Sequence, residues 1–392
     1  MTAATISRWA RRYVAVAVCS LVVWQASLLV GVPRGTEVAL GLYGFVLHVV
    51  FGKAYSLVPS YFERDLAEPR VAIVQLPLTA TGVACLAAAP IAGVPTVVGV
   101  VGALSWAVGV SLFVALLAWT IRDNPTGAET GTGGANVHRA AVDRVANAFV
   151  PVALAYLLIG SYETLALHGV VPPLFDGYGP RATHLLGAGT ATLLVFALGF
   201  RLFPRFLVAE PPRSLVYAVL PAGALGPILL AATLPAGGSF ALAASIEALA
   251  VTAYAVGFAT LFRRSDRRRI AFYGVLAGAG WGIVAVALGV RFALAGLDPA
   301  LVVAHRRVTL LGFLGMTVVG VSLQFYPPNV GRWRGCTDRT ALAAVVLLAV
   351  GVAIQAVGAG GSMALVERAG TVLTLSGVLG YGYLLAGAFA TR

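Results

Sequence analysis

Apolar residues in this chain follow neither the two-residue alternation of a half-buried strand nor the narrow stripe of a surface helix. They fill long runs, at about 13–32, 38–59, 71–90, 94–121, 145–170, 182–203, 214–234, 240–262, 270–296, 300–327, 340–359 and 365–390. A helix needs roughly 20 apolar residues to cross the hydrocarbon core of a bilayer. The pattern therefore predicts an all-α, polytopic membrane protein with about 12 transmembrane helices, forming a single transmembrane domain over residues 1–392. The first run begins at Tyr13, and no small-residue cleavage site follows it, so it reads as a retained helix. Prolines and glycines inside the runs are compatible with this, because neighbouring membrane helices re-satisfy freed backbone groups. The only stretch with a linker's composition is 123–137, rich in Gly and Thr.

The polar punctuation between runs recurs. Helix 2 ends with Gly52 and Pro59, helix 6 with Gly199 and Pro204, and helix 10 with Gly320 and Pro327, each proline set among aromatic residues. Glu68-Pro69-Arg70 opens helix 3, Glu210-Pro211-Pro212-Arg213 opens helix 7, and Asp338-Arg339 opens helix 11. Proline suits a helix start, and an acid suits the positive end of the helix dipole. Helices 4, 8 and 12 close on Thr120-Ile121-Arg122, Thr260-Leu261-Phe262-Arg263 and Thr391-Arg392. The period is four helices. It predicts three four-helix units around a pseudo-threefold axis, as repeats at approximately 1–140, 141–269 and 270–392.

Composition narrows the class. Hydrophobic residues make up 59% of the chain, charged residues only 11%, and the mean hydropathy is +0.90. A soluble domain carries about 25% charged residues, and disorder requires low hydrophobicity, so a soluble enzyme and a disordered chain are both excluded. Basic residues outnumber acidic ones 27 to 15, for a net charge of +12. In a soluble chain that excess would suggest nucleic acid. Here the charges lie between apolar runs, so the evident partner is the lipid bilayer, with no nucleic acid. Twenty arginines fall on one side of the predicted helices and 6 on the other. The positive-inside rule then places the basic side, including Arg263–Arg269 and both termini, in the cytoplasm of a cell-membrane protein. Cys19, Cys85 and Cys336 form neither a disulfide framework nor a zinc motif.

Ionisable groups within membrane spans are functional candidates. Of five histidines, His138 and His168 fall at or beyond helix ends. The other three, His48, His184 and His305, lie on helices 2, 6 and 10, the corresponding helices of the proposed repeat. Imidazole ligates haem iron and copper. His184 lies 20 residues before Pro204 and His305 lies 22 before Pro327, whereas His48 lies only 11 before Pro59. If the prolines mark one level, His48 is deeper than His305 by about 16 Å at 1.5 Å per residue. His184 and His305 are thus the matched pair, in the outer half, and Glu37 takes the corresponding position in the first unit. For each histidine the structural alternative is a ring bonded to a backbone carbonyl or hydroxyl. Arg306 and Arg307 could clamp the carboxylates of a haem, since a guanidinium fork matches that geometry. The alternative for them is an ion pair with Glu247 or Glu163, or a side chain snorkelling outward, and for Lys53 one snorkelling inward.

Twelve helices in three four-helix units, with histidines on helices 2, 6 and 10, resemble the catalytic subunit of haem–copper oxidases. They are also similar to the NnrS-like haem- and copper-containing membrane proteins. The resemblance rests on the strings from Leu47-His48 to Pro59, from His184 to Arg205 and from His305 to Pro327. It implies haem ligation by His48 and His305, a copper ligand at His184, and electron transfer or nitrogen-oxide or oxygen metabolism with a redox partner or further membrane subunits. The chain departs from the oxidase pattern. Residues 214–234 contain no histidine, His305 stands without a His-x-His partner, and Ala188 replaces the tyrosine one turn after the helix 6 histidine. Oxygen reduction by the oxidase mechanism is therefore not expected, and no catalytic residue is assigned. Two other readings stay open: a small-solute or ion transporter lined by Glu247, Arg306 and the histidines, and a cofactor-free scaffold or assembly subunit.

Overall fold

The structure is a computed structural model that describes residues 3–391. The described residues contain helices and connecting turns but no strand. Twelve helices are long and apolar enough to cross a membrane: α1 Thr5–Val30, α2 Arg34–Tyr61, α3 Val71–Ala88, α4 Thr96–Thr120, α5 Gly134–Leu167, α6 Gly179–Leu207, α7 Arg213–Thr233, α8 Gly238–Arg264, α9 Ile270–Ala295, α10 Pro299–Val330, α11 Asp338–Gly360 and α12 Ala364–Ala390. The protein is a multi-pass membrane protein. Arg392, which the sequence places at the end of the last repeat and among the cytoplasmic arginines, lies outside the described residues.

Burial sorts the twelve helices into two classes. In the most apolar stretch of each helix, 83% of α2 and 78% of both α6 and α10 is buried, against 39–50% for the other nine. Contacts between helices give the arrangement. The nine form a closed ring in the order α1, α3, α4, α5, α7, α8, α9, α11, α12 and back to α1, while α2, α6 and α10 touch one another inside it. The ring helices present apolar faces outward, such as Val101, Leu249 and Val350, as lipid contact requires. Inside, small residues let backbones approach closely, which is how membrane helices gain packing energy when burial from water contributes little.

Each inner helix contains a π-helical segment: Ala39–Leu47 in α2, Leu185–Thr192 in α6 and Val308–Gly315 in α10. These segments meet at the centre of the bundle. Each ends 12 residues before its helix's proline, Pro59, Pro204 or Pro327. Each also carries a glycine three residues before its end, packed against the helix immediately before it in the chain. A Cβ would stand 2.7 Å from Ser20 of α1 at Gly44, 2.5 Å from Tyr156 of α5 at Gly189, and 2.9 Å from Trp281 of α9 at Gly312. Sustained π-helix is rare and is frequent at functional sites. It widens the helix and turns the residues on either side of it to new faces.

The 123–137 stretch is docked rather than a free linker. Asn124 donates to the carbonyls of Phe62 (3.0 Å) and Glu129 (2.8 Å), and Arg201 donates to the carbonyl of Thr130 (3.0 Å). Arg201 also bonds Asn147, and its guanidinium lies 3.9 Å from the centre of the Tyr61 ring. Gly127 in this stretch packs against Asn147, where a Cβ would collide, a close approach that composition alone does not distinguish from flexibility.

Candidate functional site

The face carrying the α1–α2, α5–α6 and α9–α10 connections is called upper here. Two of the inner helices start there with strong local signals. In α10, the Asp298 carboxylate accepts from the backbone N–H groups of Ala300 (2.9 Å) and Leu301 (3.2 Å), and Pro299 fills the first turn. In α6, Pro180 occupies the first turn, and Arg181 clamps Asp176 of the preceding loop through two bonds of 2.7 and 2.6 Å. That clamp pulls the Asp176 carboxyl well below the usual carboxylate range, so the loop stays tied to the helix start throughout the neutral pH range.

His184 and His305 lie five and six residues into α6 and α10, about 8–9 Å below the helix starts at 1.5 Å per residue. Each is half-buried. His184 Nδ1 donates to the carbonyl of Pro180 (2.7 Å), and His305 Nδ1 donates to the carbonyl of Ala285 in α9 (3.0 Å). A carbonyl can only accept, so both Nδ1 atoms carry the proton and both Nε2 atoms are left as lone-pair donors. The two rings are nearly parallel, at 16°, with centroids 6.5 Å apart. Phe292 meets His305 edge-on, with ring centroids 5.6 Å apart.

Both rings border one cavity of about 190 Å³, walled mainly by apolar side chains of α2, α6, α7, α8, α9 and α10. It reaches the surface at the upper face beside Arg34 and Leu297, both exposed. Arg306 and Glu247 also line it. The structure thus brings together His184, His305, Arg306 and Glu247, all named from the sequence, and adds Arg34. A Cβ at lining residue Gly289 would meet nothing within 4 Å, so the free space extends to the α9 backbone there.

His48 is elsewhere. It lies 14 residues into α2, fully buried among Tyr13, Phe51 and Trp106, with Nδ1 donating to the carbonyl of Tyr43 (2.8 Å). Its Nε2 has no hydrogen-bond partner, and it is not part of the cavity lining. Lys53 donates to the Tyr326 hydroxyl (2.9 Å), under the faces of Phe325 and Tyr326. It is partly buried between α2 and α10 rather than simply extended to the membrane surface.

The expected ion pair of Arg306 and Arg307 with Glu247 or Glu163 is corrected: their partner is Glu37. Arg306 reaches Glu37 at 3.0 Å and Arg307 reaches it at 2.9 Å. Arg307 also contacts Glu367 (3.3 Å) and Gln355 (3.3 Å), and Gln355 continues to Gln25 and Thr374. Arg307 is not part of the cavity lining. Glu163 instead accepts from the backbone N–H of Leu174 (2.8 Å) in the α5–α6 loop. Glu37 and Arg306 are 269 positions apart, a pairing that no local spacing signals.

Among the described residues no group of three His, Cys, Asp or Glu side chains could hold a metal ion. The separation of the His184 and His305 rings can be compared with that of two imidazoles on one iron. Two imidazoles on opposite sides of one iron have ring centres about 6 Å apart, from two metal–nitrogen bonds of about 2 Å and two nitrogen-to-centre distances of about 1 Å. The cavity walls are mainly apolar, and the exposed Arg34 stands at its open end. No family model matches the sequence, and no curated protein matches it in sequence.

Proposed function

We propose that this protein is a membrane haem protein that transfers electrons, in which His184 and His305 would hold the haem. The observation that carries the reading is the pair of facing imidazoles, each with Nδ1 committed to a backbone carbonyl and Nε2 left as a donor. Such a second bond fixes the tautomer and orientation of a metal-binding histidine. Bound there, haem supplies one-electron redox chemistry. The apolar walls exclude water, and Arg34 and Arg306 are placed to meet carboxylates at the cavity mouth. Glu37, which also pairs with Arg307, holds Arg306 in position. Two histidine donors would favour electron transfer over nitrogen-oxide or oxygen chemistry. They also favour haem over copper, for which two histidines alone are a sparse set.

The reading keeps the likeness to haem–copper oxidases and NnrS-like proteins for the scaffold of inner helices 2, 6 and 10, but assigns the ligand pair to helices 6 and 10. It places the protein in the cell membrane with the upper face outside, exchanging electrons with a redox partner at that face. The test is the visible spectrum and metal content of the purified wild type, His184→Ala and His305→Ala. A Soret band in the wild type that is lost or shifted in both variants is expected. Copper without haem, no bound cofactor in the wild type, or equal haem in all three proteins overturns the reading. Absence of any cofactor moves weight to a transporter or scaffold.

A further inference from the structure

Glu247 has no role in holding the ligands, yet it borders the same cavity from α8. It is 7% exposed, and its Oε2 is hidden from water with no hydrogen-bond partner. The site is built to admit the carboxyl: at Gly226 of α7 a Cβ would collide with Glu247 Oε2. The titratable and charged groups around it are few. Tyr156 of α5 donates to the carbonyl of Ala224. The cavity lining adds His184 from α6, His305 and Arg306 from α10, Arg34 from α2 and Tyr178 from the α5–α6 loop, while α7 and α9 add none. Arg306 is already paired with Glu37. An unpaired carboxylate in an apolar chamber is costly, and a positive charge gained by the site offsets that cost.

We infer that Glu247 releases a proton when the centre between His184 and His305 is oxidised and takes one up when it is reduced. The inference rests on the haem reading. If a haem held there lost one electron to a one-electron acceptor, ferricyanide in the titration, Glu247 would release its proton to water, leaving the net charge of the cavity unchanged. The chemistry makes the protein a carrier of one proton with each electron.

The test is a spectroelectrochemical titration of the purified haem-loaded protein across pH, with Glu247→Gln beside it. In the wild type the midpoint potential should fall by up to about 59 mV for each tenfold drop in proton concentration. Glu247→Gln should flatten that slope while keeping the Soret band. Redox-difference infrared spectra of the wild type, which need no variant, should show a protonated carboxyl band that disappears on oxidation. A pH-independent midpoint, the same slope in both proteins, or no carboxyl signal overturns the inference while leaving the haem reading intact. A protein without a redox-active cofactor overturns both.

Discussion

At the scale of single residues, the site divides its polar groups between holding and receiving. The two Nδ1 atoms hold the rings, both of which border the cavity. His48 shows the contrast, because its Nδ1 is equally well bonded but its Nε2 meets only aromatic packing. His48→Leu removes one hydrogen bond together with one unsatisfied nitrogen, so stability should change by no more than about 1 kcal/mol. The cofactor spectrum should also be unchanged, and thermal unfolding with absorption spectroscopy checks both. A lost Soret band would return His48 to the ligand set. Glu37 is the opposite case, since its carboxylate is shared by two arginines. Glu37→Leu leaves the buried Arg306 unpaired and Arg307 with only Glu367 and Gln355, and should cost about 3–5 kcal/mol. Removing Arg307 as well, in Glu37→Gln with Arg307→Gln, should recover part of the loss. Equal melting of Glu37→Leu and the wild type would mean that the arginines find other partners.

At the scale of elements, the three π-helical segments are the common feature. They share an end point relative to a proline, a glycine three residues before that end, and contact with the helix immediately before them in the chain. We therefore expect α1–α4, α5–α8 and α9–α12 to superpose as three repeats in an experimental structure, with Gly44, Gly189 and Gly312 coinciding. Two inverted six-helix halves would refute this and support the transporter reading. Gly189→Val should force α6 away from Tyr156 and cost about 1–3 kcal/mol by overpacking, read as a lower melting temperature in detergent. The spans themselves were legible in the sequence, because a long apolar helix satisfies its own backbone polar groups in hydrocarbon. The match between His184 and His305 was legible too, since both could be measured from a proline landmark. The π-helical segments were not, because the same apolar residues serve α- and π-helix alike. Nor was the Glu37 pairing, which depends on how α2 and α10 meet rather than on any spacing within either.

At the scale of the whole molecule, the closed ring of nine helices leaves only the two end faces for exchange with water, and they differ in charge. The lower face carries the turn 263–269, with Arg263, Arg264, Arg267, Arg268 and Arg269 all exposed around one Asp. The cavity opens at the other face. If the basic face is cytoplasmic, electrons and protons reach the site from outside the cell, so orientation and function are linked. The native cysteines cannot report this. Cys336 is buried, 7% exposed, and would resist a thiol reagent from either side, while Cys19 is exposed along the membrane-spanning length of α1. A chain with all three cysteines replaced by alanine, carrying either Arg267→Cys or Leu297→Cys, avoids the problem. Position 267 is exposed in the α8–α9 turn, and Leu297 is 45% exposed in the α9–α10 turn beside the cavity mouth. A membrane-impermeant maleimide should label position 297 in intact cells and position 267 only after permeabilisation. The reverse pattern would place the cavity mouth in the cytoplasm, and with it the redox partner.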